Sequence, residues 1–571
     1  MDQEKGASKP DEAEVQTTSS QFSQAEKYQA LANDESDDLL TPPSSLKDLM
    51  DLIRYQRALR TSTGKLFSGE NDVWTRDMAI TAEDLLMVGR GEIAREAILT
   101  LAQFQGVESV WNSGEERGRM HTEYREIYNN KQLGLLTKLG LSAASGLLWQ
   151  NGWTEYTNYF SSDTTPLFIR TVSAYAKQYP DILECTVEKK DGSQDTIKES
   201  IIKAAEYIEK TVSDDGLIRI KEDNLPGNQY RYWRDSPNSY RDEKGQMPNI
   251  MDEMVILDIQ ALSAEALKDA AKLIEEEDPV KARGWYDLAD KIRKATIKHL
   301  WMEDEEYFAY GMDKDKRGEL RKINTVQSNA GWLLNTDFFD DLPNDEKEKY
   351  IKGIVTQLFS DELLTNAGIR CRAKKHMHDR EFQDYHGAWV SWPVESYMIA
   401  KGLRRQGFDQ LADQVETRII NAVNMSGVNY EFFVIDEEGR VLLDPNKEKN
   451  EGSESIPIEM KPENTIAWTV TATLRAKKER ADRWRLERSP DYKPKEQPEW
   501  IQNLEEIILE KIEIMPVYKT SKEIKENRYE EPELYLNQKA GLKHGFKIVF
   551  GPVGKAILTQ KIKRLLRLKE E

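Results

Sequence analysis

A chain of 571 residues, 39% hydrophobic, 32% charged and 9% aromatic, has the composition of a soluble globular protein, large enough for one big core with appendages or for several small domains. Its formal net charge of −20 argues against a nucleic-acid partner, because a phosphate backbone is gripped by clustered Lys and Arg; an uncharged ligand is compatible. Two cysteines, Cys185 and Cys371, are too few for a disulfide scaffold and lack the spacing of a thiolate metal site, so both are read as free thiols.

The chain opens without a basic-then-apolar leader and holds no run of about 18 apolar residues, which predicts a cytoplasmic protein without a transmembrane segment. Residues 1–42 are Ser-, Thr-, Gln- and acid-rich and are expected to form a disordered tail, since they cannot bury enough apolar surface to offset the entropy of ordering. From residue 43 to 481 apolar residues recur at three- and four-residue intervals between Gly, Pro, Asn and Asp loops. Helices are expected to start near 45, 79, 131, 164, 197, 251, 279, 323, 344, 388, 409 and 464. A capping start appears at Asn344-Asp345-Glu346, and Gly89, Gly402 and Gly407 mark helix ends or kinks.

Twelve helices fit an all-α barrel of two concentric rings, an (α/α)6 architecture whose loops at one end supply the site. Residues 482–571 read as a breaker-rich linker and a C-terminal extension ending in the basic amphipathic run Lys561–Lys569. That run either packs its Leu and Ile face on the barrel, the favoured reading, or touches an anionic membrane surface.

The residues suited to chemistry cluster in islands ahead of the predicted helices, where 13 tryptophans keep company with Asp, Glu, Arg and Asn. This texture suits a sugar, whose apolar faces stack on aromatic rings while charged and amide groups hold its hydroxyls. Cleaving a glycosidic bond with inversion needs a carboxylic acid for the leaving oxygen and a carboxylate to activate water, about 6.5–9.5 Å apart.

The first island, Asn71-Asp-Val-Trp74-Thr-Arg76-Asp77, with the helix Leu85-Leu-Met-Val-Gly89-Arg90 behind it, resembles the Trp-Gly-Arg-Asp signature of amylo-α-1,6-glucosidases, the glucosidase part of glycogen-debranching enzymes in the six-hairpin glycosidase superfamily. The resemblance implies that Trp74, Arg76 and Asp77 line the sugar subsite; the plainer alternative is a structural Arg–Asp ion pair. Asp163, in Tyr159-Phe-Ser-Ser-Asp163, is similar to a loop that binds substrate hydroxyls, or is only a helix N-cap. Tyr232-Trp233-Arg234-Asp235-Ser236 resembles the segment bearing the general acid, which implies Asp235 in that role beside Trp233. Such an acid must hold its proton near neutrality, favoured by an apolar site or a like charge and opposed by Arg234 unless that side chain points elsewhere. Ile259-Gln260-Ala261-Leu262 matches a family helix, with Asp258 near a position where Glu is usual.

Asn366–Arg370 and Gln383-Asp-Tyr385-His386-Gly387-Ala-Trp389-Val-Ser-Trp392-Pro393 resemble the Gly-x-Arg and Tyr-His-x-Gly-x-x-Trp-Pro elements, which implies Tyr385, His386, Trp389 and Trp392 around the sugar. A lone histidine can equally be a hydrogen-bonded core residue. Gly427-Val-Asn-Tyr430-Glu431 is similar to the loop that carries the water-activating base, which implies Glu431; Glu463, ahead of Ile466-Ala467-Trp468, is the alternative base, and Trp468 a further wall of the site.

No phosphate loop, zinc-binding His pair or calcium loop is present, so neither a metal nor an organic cofactor is expected. The expected partner is a carbohydrate; nothing bears on oligomeric state. The matched motifs run in family order from residue 71 to about 475 and imply an inverting glycoside hydrolase. An α-1,6-glucosidase on branched glucans is the first expectation. A hydrolase of a small α-glycoside such as glucosylglycerate, mannosylglycerate or trehalose, and a non-catalytic sugar-binding protein, are the alternatives.

Overall fold

The computed structural model describes residues 72–512 apart from 111–112, 127–138, 140–154, 221–231, 236, 250–252, 316, 377–385, 442–461, 463–465, 488, 491 and 493–496. The tail 1–42, the helices expected near 45 and 131 and the run 561–569 lie outside the described residues.

The helices are α1 (Thr75–Met87), α2 (Gly91–Gln103), α3 (Thr164–Ala176), α4 (Ile197–Thr211), α5 (Leu257–Ile274), α6 (Pro279–Leu300), α7 (Asn344–Leu358), α8 (Pro393–Gln406), α9 (Asp409–Ser426), α10 (Ala467–Glu487) and α11 (Glu499–Lys511), with a buried 3-10 segment at Ser328–Asn335. Local chemistry sets several boundaries. Thr196 and Glu199 form a reciprocal capping box on α4, and Asp278 accepts from Lys281 N at 3.0 Å ahead of Pro279 in α6. α8 begins on Pro393 and ends in left-handed Gly407 behind Arg404 and Arg405.

Six expectations need correction. The expected helix at 79 is two antiparallel ones, because Gly89 (φ 81°) turns the chain between α1 and α2. The helices expected at 251 and 388 start later, since Val255–Ile256 and Val390–Ser391 are strands. The element expected at 323 is a strand over Leu320–Ile323 followed by the 3-10 segment, all of whose residues are buried, so no amphipathic period marks it. Gly402 is no helix end: it lies within α8, where a Cβ would come within 2.7 Å of Asn335 N, so its hydrogen permits close approach to the 3-10 segment. At α7 the cap position is Pro343 and no side chain caps the helix.

The inner members are α1, α3, α5, the 3-10 segment, α8 and α10, and side-chain bonds join like positions along them. Near their starts Arg76 Nε meets Asp163 Oδ2 at 2.6 Å, Asn329 Nδ2 meets Asp258 Oδ1 at 3.1 Å and Ser328 Oγ meets Glu395 Oε2 at 2.7 Å. Midway, Arg170 Nη1 reaches Glu265 Oε2 at 3.0 Å, and Tyr397 Oη lies 2.9 Å from Thr473 Oγ1. Asp84 closes the circle, with Arg475 Nε at 2.8 Å and Lys401 Nζ at 2.7 Å. Like-to-like pairing makes the inner members parallel, so their N-terminal ends share one face. Outer helices return antiparallel through short connections, as α2, α6 and α9 do behind α1, α5 and α8. This is the (α/α)6 barrel.

Part of the expected C-terminal extension joins this body. α11 packs Trp500 edge-on against Phe408 (5.9 Å), and buried Glu505 Oε1 accepts from Gln410 N (2.8 Å) and Leu411 N (3.0 Å), capping the first turn of α9. Among the described residues no helix is long and apolar enough to cross a membrane.

Asp84→Ala removes the carboxylate that the 1%-exposed Arg475 and Lys401 share and is expected to destabilise the fold by about 3–5 kcal/mol. Urea unfolding checks this, and a loss below about 1 kcal/mol would show that apolar packing alone closes the ring. Burial raises the Glu505 carboxyl from 4.5 to about 7, so the folded state keeps a proton that the unfolded chain releases. Stability is therefore expected to decline as pH rises from 4.5 through about 7, and Glu505→Gln to reduce that decline, read as the pH dependence of the urea midpoint for the two proteins.

Candidate active site

Every expected sugar-contacting residue that is described lies in or ahead of the first turn of an inner member. Trp74 precedes α1, which opens with Thr75-Arg76-Asp77; Asp163 precedes α3; Trp392 precedes α8; Trp468 is second in α10. Trp233 and Asp235 come from the loop ahead of α5, His386 and Trp389 from the loop ahead of α8. Tyr385 and Glu463 lie outside the described residues.

One wall is aromatic. Trp233 stacks on Trp332 with centroids 5.9 Å apart and stands edge-on to His386 (5.2 Å) and Trp392 (5.8 Å). His386 lies flat on Trp392 at 4.6 Å, and Trp392 continues onto Phe432 (5.4 Å) and Trp468 (6.0 Å). Burial, then the charges of Arg234, Arg76 and Arg372, hold the His386 pKa well below the usual histidine range, so the ring is neutral at neutral pH.

The facing group is charged. Arg76 grips Asp163 with Nε at 2.6 Å and Nη2 at 3.1 Å, while Ser161 Oγ lies 2.6 Å from that Nη2 and 2.5 Å from Asp163 Oδ1. Asp163 sits at an N-cap position but bonds no helix N–H there, so the capping alternative fails. The ion-pair alternative for Arg76 holds with a different partner, Asp163 instead of the adjacent Asp77. Burial pulls the Arg76 pKa down, but Asp163, then Asp77 and Asp235, outweigh it and raise it. The field of Asp235 thus falls on the guanidinium that holds Asp163.

Asp235 is half-buried, and the residues before it are pinned. Asp258 accepts from Tyr232 Oη (3.0 Å) and Trp233 Nε1 (3.3 Å) as well as from Asn329. Burial lifts the Asp258 pKa to about 6, with the bonds from Asn329 and Tyr232 opposing. Arg234 does point elsewhere: its Nη2 meets Glu395 Oε1 at 2.6 Å, both side chains fully buried, and it also donates to Gln327, Ser328 Oγ (2.8 Å) and Cys371 O (3.1 Å).

Glu431, also half-buried, reaches the same end through strand pairing. Phe433–Val434 pairs antiparallel with Val390–Ser391, Ser391 opposite Phe433, so Phe432 meets Trp392 and Glu431 comes alongside the start of α8. Asp258, Glu395, Trp332 and Arg370 were not assigned to the site from sequence. Asp258 and Arg370 each had a signal there, their places in the Gln-Ala-Leu helix motif and the Gly-x-Arg element; Glu395 and Trp332 are defined by partners far away in the chain.

Residues 174–439 match the family model described as the mannosylglycerate hydrolase MGH1-like glycoside hydrolase domain. The stretch includes Trp233, Asp235, His386, Trp389, Trp392 and Glu431 and leaves Trp74, Arg76, Asp77, Asp163 and Trp468 outside. None of the curated proteins compared is significantly similar in sequence. A GH63 mannosylglycerate hydrolase from Thermus thermophilus in complex with glucose is 13% identical, with a TM-score of 0.48, over 76% of this chain and 100% of that one. The GH63 mannosylglycerate hydrolase from the same organism with Tris and D-glycerate is 12% identical over 71% of this chain and 93% of that one, TM-score 0.46. An uncharacterized conserved protein of Thermus thermophilus is 12% identical over 76% and 100%, TM-score 0.46. The family match shows a glycoside hydrolase domain, carried on this (α/α)6 barrel.

Proposed function

We propose that this chain hydrolyses a small α-glycoside of the mannosylglycerate or glucosylglycerate kind with inversion at the anomeric carbon, Asp235 acting as acid and Glu431 as base. The observation that carries this reading is the family match over 174–439, a domain described by a glycosylglycerate hydrolase, which contains both carboxyl groups and most of the aromatic wall. It moves the small glycoside ahead of the branched glucan that the motif resemblance put first.

In this mechanism Asp235 gives its proton to the glycosidic oxygen as the C1–O bond breaks. Glu431 takes a proton from a water that attacks C1 from the opposite face. The sugar emerges with inverted configuration, Asp235 as carboxylate and Glu431 protonated, and proton exchange with solvent resets both. Arg234 is committed to Glu395, which spares the acid an adjacent free cation. Asp163 compensates Arg76, and Asp77, near enough to act on the same Arg76 as Asp235, supplies like charge that favours the protonated acid. In this reading Arg76, Asp77 and Asp163 hold hydroxyls and Trp74, Trp233, His386, Trp389, Trp392 and Trp468 pack against the ring, with Tyr385 joining them by its place in the motif.

The test is turnover on mannosylglycerate, glucosylglycerate, trehalose, panose-type oligosaccharides and limit dextrin, with the first-formed anomer read by proton NMR. Turnover of a glycosylglycerate with inversion is expected. Preference for limit dextrin would restore the debranching reading, retention would overturn the acid–base pair, and binding without turnover would make this a carbohydrate-binding protein. Asp235→Asn should lower kcat by at least about 10²-fold at nearly unchanged volume; undiminished activity would move the acid elsewhere.

A further inference from the structure

Two buried arginines, Arg234 and Arg370, are anchored on one short extended segment, Gly368–Arg372, that lies between the loops carrying the two carboxyl groups. On the acid side, Cys371 O accepts from Arg234 Nη1 (3.1 Å), from Ser328 N (3.1 Å) and from Ser328 Oγ (3.1 Å). Arg234 adjoins Asp235 in sequence, so this carbonyl is a fixed point for the acid loop. On the base side, the Arg370 guanidinium donates to Ala388 O, Asp436 O (3.1 Å) and Glu437 O (3.0 Å). Ala388 belongs to the loop of His386, Trp389 and Trp392, and Asp436 and Glu437 form the turn that follows Glu431–Ile435. Ile435 N bonds Trp389 O at 3.0 Å and Cys371 N bonds Val390 O at 3.1 Å, so the segment, the aromatic loop and the Glu431 hairpin are laced edge to edge.

Arg370 is an unusual group to bury for packing alone. It is 1% exposed, and its donors meet backbone carbonyls with no carboxylate in an ion pair among the described residues. Burial lowers its pKa to about 10, which still leaves it charged at neutral pH. The fields of Asp436, Glu362, Glu437 and Glu438 oppose that lowering without outweighing it, and a buried cation whose direct bonds go to three carbonyl dipoles recovers only part of the cost of leaving water. What this geometry gains is the locking of two loops by one planar group.

We propose that Gly368–Arg372 is the spacer that sets the working distance between acid and base, and that Arg370 is the positioning residue for Glu431. The inference rests on Asp235 and Glu431 as the acid–base pair. Arg370 itself touches no reacting atom. It holds the hairpin so that Glu431 meets the attacking water, while Arg234 holds the acid from the adjacent residue of the same segment.

The experiment compares Arg370→Met and Arg370→Lys in the full chain, each checked for fold by far-UV circular dichroism and thermal unfolding, on the turned-over glycoside and on the α-glycosyl fluoride of the same sugar. Fluoride leaves C1 without a proton donor, so the fluoride reports the base side alone. Azide added to that assay attacks C1 as the C–F bond breaks and carries no proton to be removed, so it bypasses a misplaced base. Expected for Arg370→Met are a fall in kcat of about 10²-fold on both substrates, with KM within about threefold, and recovery of fluoride turnover by azide, since a shift of about 1 Å at a catalytic group is enough for such a loss. Arg370→Lys, which keeps one donor group, should recover part of kcat. Unchanged kcat, a loss seen on the glycoside but not on the fluoride, or a loss that azide leaves in place would each overturn the assignment. If Arg370→Met does not fold, the same criteria apply to Arg370→Lys. Glu431→Ala run beside them separates the two claims: its relief by azide upholds the base, whereas wild-type activity in it removes the foundation and not the spacer.

Discussion

The fold depends on Asp84 in the middle of α1 meeting Lys401 of α8 and Arg475 of α10, since this joins the first inner helix to the last two. A buried ion pair seldom stabilises more than apolar side chains of equal volume would, but its geometry admits few alternatives. Here it fixes the depth at which α1, α8 and α10 stand relative to one another. Arg170 does the same across α1, α3 and α5 through Glu83 (3.2 Å) and Glu265 (3.0 Å), and it reaches Asn335 O at 3.0 Å. With the inner members in register, their first turns open at one level, which is where the aromatic wall and the carboxylates stand.

The motif islands recognised from sequence are the stretches that precede inner helices, and that is why they were legible. The side chains proposed to meet substrate are local in sequence there, and their Trp, Asp and Pro texture is dense enough to identify. Outer helices α4, α6, α7 and α9 were legible for a different reason, their amphipathic period, to which α4 and α6 add capping side chains. The 3-10 segment was harder, because burial on all sides erases the period, and α2 was hidden by a single left-handed glycine that reads as a kink or an end alike. The supporting shell was least visible. Arg234 finds Glu395 161 residues away and Arg370 finds Asp436 66 residues away, and nothing in either neighbourhood announces a partner. Asp258 was visible but undervalued, since a motif departure counted against it, whereas its position at the start of α5 gives it three donors.

Two opposing electrostatic effects act on carboxylates at this end of the ring, and Asp258 shows which prevails. A helix N-terminus favours the charged form by about 0.3–1 kcal/mol, up to about 2 in partly buried geometry, which is at most about 1.5 units of pKa. Desolvation of a fully buried carboxyl can shift it by about 3–5 units the other way. At Asp258, in the first turn of α5 and with Asn329 and Tyr232 also donating to it, the pKa still rises to about 6. Burial outweighs the hydrogen bonds and the charge of Arg234, and by these magnitudes it exceeds what a dipole supplies. Asp235 is half-buried and keeps more of its solvation, so desolvation by itself gives less to a proton-holding acid there. In the proposed mechanism the remainder comes from charge: Arg234 is withdrawn into a neutral pair with Glu395, and Arg76 into one with Asp163, so these two cations are compensated while Asp77 adds a negative field. In that mechanism a bound glycoside displaces water from this arrangement and strengthens each of those fields, so the complex favours a protonated Asp235 more than the free protein does.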